Sequence, residues 1–215
     1  MRILLVRHGQ TDWNLQGRCQ GATDLDLNGT GIRQAEKVAA YLTKEKIHAV
    51  YSSNLKRAMQ TALVICRPHG LAVTVENSFR ELHHGKLEGL TLSDIQAAFP
   101  GFIQKWREAP ADVLIPGGER LVDVAGRAWE GMNRIVECHR SDATVVVVSH
   151  NFPILAILCR ITGVPLDRYR SFHIDPCNVT HLSYIQTEGW RLVELGDGKL
   201  HPVASQRTMP LEEKE

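Results

Sequence analysis

Short apolar runs alternate along the chain with longer stretches in which apolar residues return every three or four positions, a pattern that predicts strands separated by helices. Ile3 to Val6 predicts the first strand, followed by a loop rich in Gly and Asp. From about Gly29 to Lys44, Ile32, Ala35, Val38, Ala39 and Leu42 fall on one helical stripe, and Asn28 is placed to cap it. His48 to Tyr51 predicts a second strand. A helix from Leu55 to Cys66 then turns Ala58, Ala62 and Ile65 inward and stops before Pro68 and Gly70. Leu71 to Val75 predicts the third strand. Between about Leu90 and Arg107 the pattern is helical but polar and broken at Pro100-Gly101, which predicts an insertion over one end of the sheet.

A long helix is expected from about Glu119 to His139, with Leu121, Ala125, Ala128, Met132 and Ile135 on its inner stripe. Thr144 to Ser149 is an uninterrupted valine-rich run, the mark of a strand covered on both faces. A helix from about Phe152 to Thr162 and two strand-like segments, Asn178 to Ile185 and Trp190 to Leu195, complete the pattern. The expected fold class is therefore α/β: a three-layer α/β/α arrangement, its central sheet mostly parallel, with helices on both faces and a small helical insertion over the site.

Composition narrows the partners. No Pro/Gly/Ser-rich linker divides the 215 residues, so a single domain is expected over residues 1–205, with the stretch 206–215, ending in the Glu-rich Pro210 to Glu215, disordered. A formal net charge of +1 and the lack of long like-charge runs give no basic field for nucleic acid. The chain opens on a strand pattern and has no apolar stretch of bilayer-spanning length, so no membrane partner and a cytoplasmic location are expected. Cys19, Cys66, Cys138, Cys159 and Cys177 form no CxxC pair and are expected to be reduced. The ten histidines include no HExxH, and the consecutive His83 and His84 cannot share a direction, so no metal site and no cofactor are expected.

The candidate chemistry begins where the first strand stops, at Arg7-His8-Gly9. Open α/β sheets bind ligands at the carboxyl ends of their strands, and Gly9 permits a tight turn there. Arg7 offers a planar fork for phosphate oxygens, and a neutral His8 can attack phosphorus beside it. If the strands ending near Val6, Tyr51 and Val148 are parallel neighbours, then His8, the Ser52-Ser53 turn with Arg57, and His150 gather at one edge. The helix opening at Ser149-His150-Asn151 adds free N–H groups and a positive dipole end, where a phosphate is expected to sit.

With those residues assembled, the chain resembles the histidine phosphatase superfamily, the group of cofactor-dependent phosphoglycerate mutases and many small phosphatases. The resemblance rests on Leu5 to Thr11, Trp13-Asn14, Gln20-Gly21, Leu25 to Gly29, Ser52 to Ala58, Thr61-Ala62, Arg80-Glu81-Leu82 and Val147 to His150, in that order and spacing. It implies that His8 is the phosphorylated nucleophile, that Arg7, Arg57 and His150 hold the phosphoryl oxygens, and that Glu81 is the proton donor. Asn14 and Gln20, with the adjoining Gly21 and Asn151, are implied as further phosphate or substrate contacts, and His84 as an approach to the carboxylate of a small phospho-acid. Two guanidiniums and a second imidazole would supply the charge compensation that other phosphatases take from a metal.

The stretch between the acid motif and His150 is short and has no adjacent pair of arginines, which favours hydrolysis over the mutase reaction. Glu81 to Gly85, Gly117-Gly118-Glu119 and Ser149 to Pro153 look most like metal-independent phosphoserine phosphatases. α-Ribazole phosphatases and broad-specificity phosphatases are also similar, and phosphoglycerate mutase and a non-catalytic phosphate-binding module stay open at this point. The apolar segment Val179 to Tyr184 is expected to offer strand pairing across a homodimer.

Overall fold

A run that is apolar at every position needs cover on both sides, and two such runs make the centre of the molecule. In the computed structural model, which describes residues 1–196, the elements follow as β1 (Arg2–Arg7), α1 (Asp12–Leu15), α2 (Gly29–Leu42), β2 (Ala49–Ser52), α3 (Lys56–Cys66), β3 (Val73–Val75), α4 (Leu92–Ala98), α5 (Phe102–Glu108), α6 (Leu121–Cys138), β4 (Thr144–Ser149), α7 (Asn151–Thr162), β5 (Val179–Ile185) and β6 (Gly189–Glu194). The expected tail at 206–215 and the domain end at 205 lie outside the described residues.

The strands form one mixed sheet in the order β3-β2-β4-β1-β5-β6, with parallel pairing from β3 to β1 and antiparallel pairing from β1 through β5 to β6. Successive residues of β1 and β4 point to opposite faces. Ile3, Leu5, Val145 and Val147 pack with Leu121, Ala128 and Met132 of α6 and with Ile154 and Leu158 of α7. Leu4, Val6, Val146 and Val148 pack on the other side with Ala35, Val38 and Leu42 of α2 and with Ala58, Ala62 and Ile65 of α3. Each fully buried Val, Leu, Ile or Met among them contributes about 1.5–3 kcal/mol. The three expected layers follow from this division.

Four details depart from the pattern reading. In α2, Gly31 lies on the buried stripe and Ile32 is 45% exposed. The reason is a backbone crossing: a Cβ on Gly9 would sit 2.5 Å from the Gly31 carbonyl oxygen, and one on Gly31 would collide with the Gln10 carbonyl. Two glycines thus let the first turn of α2 rest directly on the loop that carries His8. In α6, Val124 is buried and Ala125 only partly so. The third strand is cut to Val73–Val75, because a 3-10 turn over Arg67–His69 ends in a left-handed Gly70. The loop after β1 also holds the short helix α1, whose start is closed by a Thr11–Asn14 capping box.

The expectation that Val179 to Tyr184 pairs across a dimer is corrected by the topology. Those residues form β5, whose two edges are occupied by β1 and β6, so it has no free ladder to offer. Among the described residues no helix is long and apolar enough to cross a membrane.

Candidate active site

The β1–β4 register pairs Val6 with Val148 and Arg7 with Ser149, so the chain leaves both strands side by side at His8 and His150. The His8 N–H donates to the Ser149 carbonyl at 3.0 Å, and the two imidazole centroids lie 5.0 Å apart, tilted by 55°. His8 Nδ1 lies 2.7 Å from the Gly9 carbonyl oxygen, an acceptor only, so Nδ1 carries the proton and the lone pair is on Nε2. Burial, then the Arg57 and Arg7 charges, hold the His8 pKa well below the ordinary 6.5, against the smaller opposing pull of that carbonyl. A neutral imidazole with a free Nε2 results.

His150 is fixed by a residue the sequence reading placed only in a turn. Ser53 Oγ lies 2.6 Å from His150 Nε2 and also accepts a long 3.4 Å bond from the Leu55 N–H. A hydroxyl has one proton and two lone pairs, so while it accepts from Leu55 it can either donate to Nε2 or accept from it, and both tautomers of the neutral ring fit the contact. Nδ1 is buried without a hydrogen-bond partner. Burial, followed by Arg57 and His8, holds this imidazole well below 6.5 as well. The Ser52-Ser53 pair at the end of β2 was the only sequence signal for this role.

Arg57 enters α3 one residue after its start and is completely buried. It donates to the Thr23 carbonyl at 2.8 Å and the Gly21 carbonyl at 2.7 Å, while its Nε is unpaired. Arg7 donates to the Ile174 carbonyl at 2.6 Å and likewise has an unpaired, buried Nε. Two desolvated guanidiniums with donors to spare favour an anion beside them. Gly21, at φ +55°, and Gln20, whose Oε1 is buried and unpaired, line the same cavity. Asn14 lines it too, although its Oδ1 accepts from the Thr11 N–H and hydroxyl.

The helix start of α7 is engaged by a side chain the sequence reading did not place there. Its Asn151 and Phe152 N–H groups both donate to Glu81, each at 3.1 Å, and the Leu82 N–H adds a third bond at 2.9 Å. The Glu81 carboxyl group therefore takes two of the N–H groups that the sequence reading expected to be free. This is a correction with chemical content, since three backbone donors set the orientation of the carboxyl group. Asn151 serves through its backbone and also lines the cavity, and His84 packs its ring against Phe152 at 5.5 Å on the cavity wall. Burial lowers the His84 pKa.

All ten predicted residues, His8, Glu81, His150, Arg7, Arg57, Asn14, Gln20, Gly21, His84 and Asn151, converge on this region, and all but His150 line one cavity of about 350 Å³. Sequence reasoning placed a helical insertion over the site but did not name the residues it turns toward the cavity. Leu92 and Ile95 of α4, Phe102, Ile103 and Trp106 of α5, and Phe152 make the opposite wall apolar, with Arg18 and Arg170 also on the cavity lining. The helical spacing of those apolar residues was a signal for an amphipathic insertion but not for which way it faces. Among the described residues, no group of three or more His, Cys, Asp or Glu side chains is arranged to hold a metal ion.

Comparisons with known proteins agree with this geometry. Residues 3–198 match the model of the histidine phosphatase superfamily, branch 1. The chain is 37% identical over 175 residues to phosphoserine phosphatase 1 of Hydrogenobacter thermophilus, covering 81% of this chain and 82% of that protein. It is 39% identical over 163 residues to the metal-independent phosphoserine phosphatase of Arabidopsis thaliana, covering 74% and 68%. Its fold superposes on a mycobacterial glucosyl-3-phosphoglycerate phosphatase, solved as a complex with VO3, with a TM-score of 0.82, 34% identity, and 91% and 98% coverage. The chain belongs to the histidine phosphatase superfamily, branch 1, and is a phosphoric monoester hydrolase of that type.

Proposed function

We propose that this enzyme hydrolyses a small phosphorylated acid of the phosphoserine type through a phosphohistidine at His8. The observation that carries the reading is the paired imidazoles 5.0 Å apart, with His8 Nδ1 tied to the Gly9 carbonyl, beside the buried Arg57 and the part-buried Arg7. In the first step His8 Nε2 attacks phosphorus and the bond to the ester oxygen breaks. Glu81 gives that oxygen its proton. In the second step water attacks the phosphohistidine, Glu81 takes a proton from it, the P–N bond breaks and inorganic phosphate leaves. Arg7, Arg57 and the His150 imidazole meet the charge spread over the equatorial oxygens, a task of positioning and electrostatics.

The names of the two phosphoserine phosphatase relatives support the substrate class, as does the placement of His84 on the cavity wall within the same lining as Arg7 and His8. A second reading, acceptance of esters with a larger body, is favoured by the apolar wall of α4 and α5. Rapid mixing with p-nitrophenyl phosphate, acid-free quenching and mass spectrometry should place an acid-labile phosphoryl group on His8. Turnover without that adduct in His8-containing peptides rejects the covalent route. Specificity constants for phosphoserine, the phosphoglycerates, α-ribazole phosphate and aryl phosphates then separate the two substrate readings.

A further inference from the structure

Glu81 is held from above by α7, but the backbone that carries it is held from the other side by a residue outside the cavity lining. Arg127 of α6 uses its whole guanidinium on the segment before and around Glu81. One terminal nitrogen donates to the Ser78 carbonyl at 2.8 Å and the Arg80 carbonyl at 2.6 Å, and the other donates to the Glu81 carbonyl at 3.0 Å. Nε and the second terminal nitrogen grip the two oxygens of Glu119, each at 3.1 Å. Glu119 closes the ring by accepting the His83 N–H at 3.0 Å, while its own N–H donates to the His83 carbonyl at 3.0 Å. The Gly117-Gly118-Glu119 sequence, singled out earlier only by resemblance, thereby acquires a physical role.

The face of α6 is shaped for this contact. Arg134, two turns beyond Arg127, binds both oxygens of Glu76, each at 3.1 Å, and Gly131 lies between the two arginines. A Cβ on Gly131 would collide with the Ser78 hydroxyl and fall 2.9 Å from Phe79 Cζ. The clamp matters because Glu81 has somewhere else to go. It lines the substrate cavity and also a second cavity of about 410 Å³, to whose walls Asn77, Arg80, His83, Glu119 and Arg127 itself contribute. A carboxyl group between two cavities delivers its proton to the ester oxygen only if its backbone does not yield toward the wrong one.

We propose that Arg127, together with Glu119, is a positioning residue that keeps Glu81 aimed into the substrate cavity for proton transfer. The proposal rests on the reading of Glu81 as proton donor, and the test separates the two. Full-length Glu81→Gln, Arg127→Gln, Arg127→Lys and Glu119→Gln are compared on p-nitrophenyl phosphate, whose leaving group needs no proton, and on phosphoserine, whose leaving group does. Circular dichroism and melting curves accompany each variant. Arg127→Gln should lower kcat/KM for phosphoserine about tenfold more than for p-nitrophenyl phosphate, with the loss in kcat and not in KM. Combining it with Glu81→Gln should add no further leaving-group discrimination, and Arg127→Lys, which keeps the charge and a donor for part of this carbonyl set, should recover part of it.

If Glu81→Gln discriminates between the esters while a folded Arg127→Gln slows both equally, the arginine is merely structural and the proposal is overturned. Should Glu81→Gln itself not discriminate, the proton-donor reading fails and the positioning role falls with it. Where Arg127→Gln does not fold, Arg127→Lys and Glu119→Gln decide the matter by the same comparison.

Discussion

The two ends of the substrate cavity are built in opposite ways. At the phosphate end, His8, Arg57 and His150 are almost wholly buried, sit within two residues of a strand end or helix start, and are tied to backbone atoms or to Ser53. At the far end, Phe102, Ile103 and Trp106 belong to a seven-residue helix with no fully buried residue, tethered through the Trp106 N–H to the Tyr169 hydroxyl at 3.1 Å. The residues proposed to do the chemistry thus sit at the sheet's edge, whereas those proposed to meet the body of the ester sit on two short amphipathic helices. Chemistry is over-determined here, and substrate choice is lightly held.

That contrast can be broken or sharpened. His8→Ala should abolish turnover while leaving the fold intact; measurable phosphohistidine chemistry in that variant would remove the nucleophile from the rigid end. Arg57→Ala should slow every phosphomonoester by about a hundredfold or more, because a desolvated clamp on the equatorial oxygens is lost. It should also lower Tm, since the Gly21 and Thr23 carbonyls lose their donor. A kcat/KM loss confined to one substrate would contradict the division of labour.

The pH dependence tests the electrostatics of the rigid end. His8 and His150 have folded pKa values below the ordinary 6.5, mainly through burial. Their protons are therefore taken up by the unfolded chain before the folded one, so their contribution to stability is complete above about 6.5 and is lost as pH falls below it. The acid limb of kcat/KM for the free enzyme should accordingly lie below pH 6.5. Urea titrations between pH 7 and 5 should show falling stability, and a His8→Ala, His150→Ala double variant should flatten that fall. The smallest effect belongs to the loose end: Trp106→Ala should change kcat/KM by about tenfold or less, and unequally between esters with apolar and polar bodies.

Much of this was legible in the sequence because strand-end chemistry travels with strand patterns. Leu4-Leu5-Val6 and Val146-Val147-Val148 reveal covered strands, so the residues that follow them must emerge at a sheet edge. Helices α2, α3, α6 and α7 begin and end within about two residues of their predicted bounds, with Asn28 capping α2, Pro68 and Gly70 following α3 and Gly163 following α7. Other features had no such signature. The capture of Glu81 by α7 joins residues 70 positions apart, and nothing in the spacing says which anion the helix start will take. Arg127 reads in sequence as a solvated helix charge, because its partners are carbonyls that every residue possesses. The closure of β5 between β1 and β6 depends on pairing, not on composition.

That closure has a consequence of its own. With β4 on one side and β5 on the other, β1 cannot fray from an edge, so releasing the amides of residues 3–7 to solvent exchange requires opening the whole sheet. The far wall has no such anchor. On mild heating or in low denaturant, the molecule should therefore pass first through a form that retains His8 and His150 in register but has lost discrimination between esters, which kcat/KM for two unlike substrates along a urea titration would reveal.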